Sequence, residues 1–130
     1  RIGRGLMVFV GMANGDTQKE IQHLAQKMVS LRLFPDEAGQ FNLSVRDISG
    51  ELLVVSQFTL LADTRKGRRP SFVEAAPPAQ AEGLFEQFVT EARSSGLKVA
   101  TGRFQQYMQV EIHNDGPVTI LLDSREKFAK

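Results

Sequence analysis

Leu52-Leu53-Val54-Val55-Ser56-Gln57-Phe58-Thr59-Leu60-Leu61 is apolar almost end to end, with β-branched residues at its middle and Ser-Gln interrupting it near its close. Ser49-Gly50 bounds it on one side and Ala62-Asp63 on the other. A run of this kind predicts a strand buried on both faces. A hydroxyl and an amide inside such a strand are costly to bury unless something uses them. Ser56 and Gln57 are for that reason where a search for chemistry starts.

On the N-terminal side, Phe41, Leu43 and Val45 alternate as a short strand, and Pro35–Gly39 is a turn. Thr17-Gln18-Lys19-Glu20 matches the T-x-x-E capping box. The helix it opens carries Ile21, Leu24, Ala25, Met28 and Leu31 at helical spacing, so one stripe faces a core. His23 falls off that stripe and reads as a solvated histidine. Before the helix, Leu6–Val10 is strand-like and Gly11–Asp16 a loop with Asn14-Gly15 as its turn.

On the C-terminal side, Arg65, Lys66, Arg68 and Arg69 place four cations within five residues, with Gly67 among them and Pro70 after them. This is a basic loop rather than a helix face; it reads either as a solvated charged loop or as a phosphate contact. Pro77-Pro78 opens a second helix, with Ala81, Leu84, Phe85, Phe88, Val89 and Ala92 as its buried stripe and Gly96 as its cap. Val99–Thr101 is a short strand. Tyr107–Asn114 alternates, with Met108, Val110 and Ile112 on one face and Gln109, Glu111 and His113 on the other, which predicts a half-exposed strand. Asn114-Asp115-Gly116-Pro117 turns the chain, Val118–Leu122 returns as the partner strand, and Asp123–Lys130 is a polar tail. The element order predicts an α+β fold, with two helices packed on one side of a curved, mostly antiparallel β-sheet or barrel.

The 130 residues make a single domain, able to bury a core without covalent staples. A net charge of +1 gives no global basic field, so a nucleic-acid partner would need a local patch. There is no cysteine, which excludes disulfides, thiolate catalysis and Cys-based zinc sites and fits a cytoplasmic protein. No apolar stretch approaches the ~18 residues of a membrane span, and no signal-peptide pattern is present. The two histidines lie on polar faces, away from any Gly-x-Ser-x-Gly elbow. Carboxylates occur singly, no His/Asp/Glu spacing resembles a metal site, and no glycine-rich phosphate loop opens a helix. No cofactor and no metal are expected.

Two features survive this subtraction: Ser56-Gln57-Phe58-Thr59, and Asn114-Asp115-Gly116-Pro117-Val118-Thr119. Taken singly, the second is an ordinary tight turn, and Ser56 and Thr59 could bond a neighbouring carbonyl. As a pair, Ser-Gln-x-x-Leu and Asn-x-Gly-Pro-x-Thr, in this order with a helix between them, closely resemble the D-aminoacyl-tRNA deacylases. The continuation of the Leu52–Leu61 strand into Ala-Asp-Thr, Arg69-Pro70-Ser71-Phe72, Thr101-Gly102-Arg103-Phe104 and Met108-Gln109-Val110 agree with that family. The resemblance spans essentially the whole chain. It also implies a further hairpin ahead of Arg1, so a sheet edge is expected to be exposed here.

The resemblance implies hydrolysis of the ester between a D-amino acid (or glycine, including glycine mischarged on alanine tRNA) and the terminal adenosine of tRNA. It implies a homodimer with two sites at the subunit interface. Gly116-Pro117 would be a cis dipeptide that one subunit inserts into the other's pocket, its carbonyl oxygens meeting the α-amino group and α-carbon and excluding L substrates. Ser56, Gln57 and Phe58 would surround the adenosine and the scissile carbonyl, with backbone N–H groups as oxyanion donors. Thr59 belongs to the same catalytic stretch, but no base is apparent beside it, so a nucleophilic role is not expected. Met108 and Thr119 would line the pocket; Arg65, Lys66, Arg68 and Arg69 would face tRNA phosphates. Three alternatives stay open. One is a non-catalytic nucleic-acid binder, although such modules offer aromatic platforms and this chain has no Trp and one Tyr. Another is a structural dimerisation domain whose Gly-Pro is an ordinary trans turn. The closest is a sibling deacylase with a trans Gly-Pro and relaxed chirality.

Overall fold

The computed structural model describes residues 1–128. The chain runs as strand β1 (Gly5–Val10), helix α1 (Gln18–Ser30), strands β2 (Phe34–Pro35) and β3 (Phe41–Leu43), and strand β4 (Glu51–Ser56). A 3₁₀ turn (Phe58–Leu61), helix α2 (Pro78–Arg93), strand β5 (Val99–Thr101) and a short helix α3 (Arg125–Phe128) follow. β4 lies in the middle of a three-stranded sheet of order β1-β4-β5. It meets β1 from Gly5 opposite Glu51 to Val10 opposite Ser56, and β5 from Leu52 opposite Val99. Leu52 and Val54 on one face and Val55 on the other are buried, so the two-sided burial expected of this stretch holds.

The strand directions differ from the expectation. Both pairings of β4 are parallel, and among the described residues the antiparallel pairing is limited to β2–β3 and two isolated bridges, with no closure into a barrel. Parallel neighbours need long crossover connections. Here α1 lies in the chain between β1 and β4, and α2 between β4 and β5. A continuous apolar run is itself what a parallel strand covered on both faces looks like, and it carries no sign of direction. β4 also ends at Ser56, not at Leu61: Leu60 N–H donates to the Gln57 carbonyl at 3.2 Å and Ala62 N–H to that of Thr59 at 3.1 Å. An apolar sequence fits either a strand end or a packed turn, and periodicity alone does not separate them.

The strands expected over 107–114 and 118–122 are likewise absent. Among the described residues, no strand pairs with these segments. Tyr107, Val110, Ile112, Ile120 and Leu121 are exposed, Tyr107 at 95% and Leu121 at 81%. Alternation reports which residues share a face, whereas a ladder needs a neighbouring strand, and among the described residues none lies alongside. The polar tail expected over Asp123–Lys130 contains α3, and its last two residues lie outside those described.

The helices follow their sequence signals. The Thr17 hydroxyl accepts from the Lys19 N–H at 3.3 Å, and the Thr17 N–H donates to Glu20 Oε2 at 2.8 Å, closing the capping box. Ile21, Ala25, Met28 and Val29 of α1 pack with Ala81, Leu84, Phe85, Phe88, Val89 and Ala92 of α2 in one core with Val10, Leu52 and Val54. Gly96 adopts φ +86°, and its N–H donates to the Arg93 carbonyl at 3.0 Å, ending α2 as expected. Thr17→Ala should lower stability by about 0.5–2 kcal/mol, seen as a lower urea midpoint at unchanged m-value. Among the described residues, no helix is long and apolar enough to cross a membrane.

Candidate functional site

β1 and β4 deliver the Ser56–Thr59 stretch to the sheet's C-terminal edge. Val10 stands opposite Ser56, and the ladder is carried one step further by the Gln57 N–H, which donates to the Val10 carbonyl at 2.8 Å. The chain then folds into the 3₁₀ turn directly over Gly11. A Cβ at position 11 would lie 2.5 Å from Leu61 Cδ2 and 3.2 Å from the Gln57 carbonyl oxygen, so a side chain there would make Leu61 move and crowd the turn.

This arrangement revises which main-chain groups are open to a ligand. Gln57's N–H is engaged by Val10, so within the stretch expected to supply oxyanion donors this one is already bonded. The first N–H groups of any helical turn lack a partner within it. The turn's hydrogen bonds are donated from Leu60 onward, which leaves the N–H groups of Phe58 and Thr59 outside them. Beside these donors, Gln57 Nε2 donates to the Thr59 hydroxyl in a short contact. Among the described residues, neither a histidine nor a carboxylate hydrogen-bonds that hydroxyl, so nothing there would take its proton. Phe58 is 55% exposed and stands edge-on to Phe72, ring centroids 5.0 Å apart.

Met108 joins this edge through Gly102. The Gly102 N–H donates to the Val54 carbonyl at 3.0 Å, continuing the β4–β5 pairing. A Cβ on Gly102 would lie 2.8 Å from Met108 Sδ and 3.1 Å from Val55 Cγ2, and the Arg103 N–H points at the same sulfur from 3.4 Å. The thioether therefore rests on bare backbone beside Val55, one residue before Ser56. Sequence reading placed Gly102 only within the Thr101-Gly102-Arg103-Phe104 match and Gly11 only at the start of a loop. The signal in both cases is a glycine at the very end of a strand, where another group approaches the main chain closely.

The second motif is not brought to the first. Among the described residues, no hydrogen bond joins 114–119 to the 3₁₀ turn. The loop is closed on itself: Asn114 Nδ2 donates to the Thr119 hydroxyl at 3.2 Å and accepts, through Oδ1, from the Val118 N–H at 3.2 Å. Gly116 and Pro117 form its exposed tip, and the peptide bond between them is cis. Two concavities lie elsewhere. One of about 280 Å³ is lined by His23, Leu24, Lys27, Leu122, Asp123 and Glu126, the other of about 460 Å³ by side chains of α1 and α2, and neither includes a residue of the two motifs.

The basic loop is pinned at its base. Asp63 and Ser71 exchange both backbone hydrogen bonds, at 2.7 and 2.9 Å. Arg65 clamps the Asp63 carboxylate with two side-chain bonds, Nε at 2.9 Å and Nη2 at 2.7 Å. That side-chain pairing, followed by the Arg65 N–H, holds the Asp63 carboxyl down to about 2, so the pair is fully ionised near neutrality. Gly67 turns the tip with φ +65°, and Lys66, Arg68 and Arg69 are exposed.

A family model described as D-Tyr-tRNA(Tyr) deacylase matches residues 1–123. A protein named D-aminoacyl-tRNA deacylase from Dehalococcoides mccartyi is 57% identical over 127 residues, covering 98% of this chain and 83% of that one. One of the same name from Thermotoga petrophila is 58% identical over 127 residues, with 98% and 85% covered. Among solved structures, one named c-Myc DNA Unwinding Element Binding Protein superimposes with a TM-score of 0.87 at 46% identity, covering 94% of this chain and 83% of that one.

Proposed function

Since this chain belongs to the D-Tyr-tRNA(Tyr) deacylase family, we propose that it hydrolyses the ester between a D-amino acid and the terminal adenosine of tRNA. The observation that carries the chemistry is the pair of N–H groups at Phe58 and Thr59, outside the turn's own hydrogen bonds at the end of β4. They point to an oxyanion hole built from main chain. Such donors need no titratable neighbour, and each is worth about 10²–10³ in rate. An aminoacyl ester is already activated. Water attacks its carbonyl carbon, the carbonyl oxygen takes up negative charge against the two N–H groups, and the C–O bond to the ribose breaks. The neighbouring ribose hydroxyl assists the water and the departing ribose oxygen leaves protonated. Ser56 and Gln57 hold the adenosine side of this turn, Phe58 flanks the ester, and Met108 and Thr119 line the pocket.

Chirality is read by exclusion. The carbonyl oxygens of Gly116 and Pro117 meet the substrate's α-amino group and α-carbon, so an L side chain runs into main chain while a D side chain points outward. Glycine has no side chain to exclude and passes the same test. Among the described residues, no hydrogen bond ties the 114–119 tip to the 3₁₀ turn. The reading therefore has the tip enter the site of a second copy, in a homodimer. The exposed apolar residues Tyr107, Val110, Ile112, Ile120 and Leu121 support a face that another chain covers.

The test is cleavage of D-tyrosyl-tRNA by the wild-type chain and by Thr59→Ala. The variant should retain turnover within about tenfold, since the hydroxyl accepts from Gln57 and faces no base. Loss of cleavage with an unchanged circular-dichroism spectrum would make Thr59 the nucleophile. The name of the solved neighbour favours a second reading, a non-catalytic binder of DNA. Tight, salt-sensitive binding of single strands without any ester cleavage would establish it.

A further inference from the structure

We infer that the 63–71 loop binds phosphates of the RNA's 3′-terminal strand through Lys66, Arg68 and Arg69, while Arg65 is a clamp that makes no phosphate contact. This rests on the proposed tRNA substrate and adds which charges hold it. The three groups differ from Arg65 in their surroundings. Arg65 lies in a two-bond pair with Asp63 that is ionised and electrically neutral at working pH. Among the described residues, Lys66, Arg68 and Arg69 form no ion pair. Condensed cations leave a nucleic acid only when an uncompensated positive charge replaces them. A neutral Arg–Asp pair replaces none.

The position of the loop selects the strand. Its base, Asp63 paired with Ser71, begins two residues after the 3₁₀ turn, and Phe72 on its returning limb stacks edge-on against Phe58. The cations are thus displayed beside the groups that would meet the ester. The phosphates within reach of a terminal adenosine held there are those just upstream of it on the same strand. The clamp has a purpose under this arrangement. With the base closed by two main-chain bonds and the first limb held by Arg65, the tip cations are carried on a loop tied at its base rather than on a free tether.

The test measures the Kd of deacylated tRNA against salt concentration for three proteins. Lys66→Gln/Arg68→Gln/Arg69→Gln should lower the slope of log Kd on log salt by about 2, at ~0.7 per single-strand phosphate. Between 50 and 200 mM salt, wild-type binding should therefore weaken about twentyfold more than the triple variant's. Asp63→Asn/Arg65→Gln keeps the net charge and should leave the slope where it was. An unchanged slope in the triple variant overturns the inference, and so does a fall of about 0.7 in the double variant, which would make Arg65 a contact. A loop-dependent slope on single-stranded DNA but not on tRNA overturns the assignment to RNA. Wild-type hydrolysis of D-tyrosyl-tRNA is followed alongside. Cleavage with no loop-dependent slope contradicts the loop alone, whereas a loop-dependent slope without cleavage contradicts the deacylase reading alone.

Discussion

Phe58→Pro is expected to slow D-tyrosyl-tRNA hydrolysis by about 10²–10³ relative to Phe58→Ala, in kcat more than in KM. Both variants lose the ring and its contact with Phe72; only the proline also loses the N–H. The comparison isolates one main-chain donor. Position 58 is where such a substitution is tolerated: it is the first residue of the 3₁₀ turn, its N–H bonds nothing in the turn, and proline is favoured at first helical positions. The preceding residue, Gln57, has φ −142° and ψ 85°, outside the helical region that a following proline disfavours. Thermal melts of the two variants should coincide within a few degrees. Equal kcat values for the two would show that the Phe58 N–H does not meet the developing oxyanion, and would leave the reaction without its main electrostatic support.

Asn114→Ala should lower the ratio of D- to L-tyrosyl-tRNA cleavage by about 10–100-fold, with any loss of stability confined to about 1–3 kcal/mol. The side chain makes two hydrogen bonds across its loop, to Thr119 and from Val118, and among the described residues no other hydrogen bond closes the segment that carries Gly116 and Pro117. Two neutral hydrogen bonds contribute about 1–3 kcal/mol, and each 1.4 kcal/mol is about a factor of ten. A loosened tip yields to an L side chain, so the loss falls on discrimination before it falls on D turnover. Asn114→Asp keeps one acceptor for Val118 and should restore part of the ratio. If Asn114→Ala preserves the ratio, the 114–119 tip is not the chiral filter.

The parts of this fold that were legible in the sequence are those where one chain's own periodicity or capping chemistry decides the outcome. Thr17 and Glu20 announced the start of α1, the six apolar positions of α2 announced its buried stripe, and Leu52–Val55 announced a strand covered on both sides. Strand direction was not legible, because an apolar run serves parallel and antiparallel neighbours alike. Nor was the break at Gln57, where an apolar sequence passes from strand to turn without changing character. The alternation of Tyr107–Leu122 grouped residues by face, but it could not say that, among the described residues, no strand pairs with them. At the candidate site, residue types singled out Ser56–Thr59 for attention. The engagement of the Gln57 N–H by Val10, and the close seats at Gly11 and Gly102, depend on which backbone passes over which, and that is a property of the folded chain.

The most direct measurement is deacylation of matched D- and L-tyrosyl-tRNA by the wild-type chain under one set of conditions. The expected result is rapid release of D-tyrosine, with the L ester decaying no faster than it does without protein. Equal rates on the two enantiomers would contradict main-chain exclusion at Gly116 and Pro117.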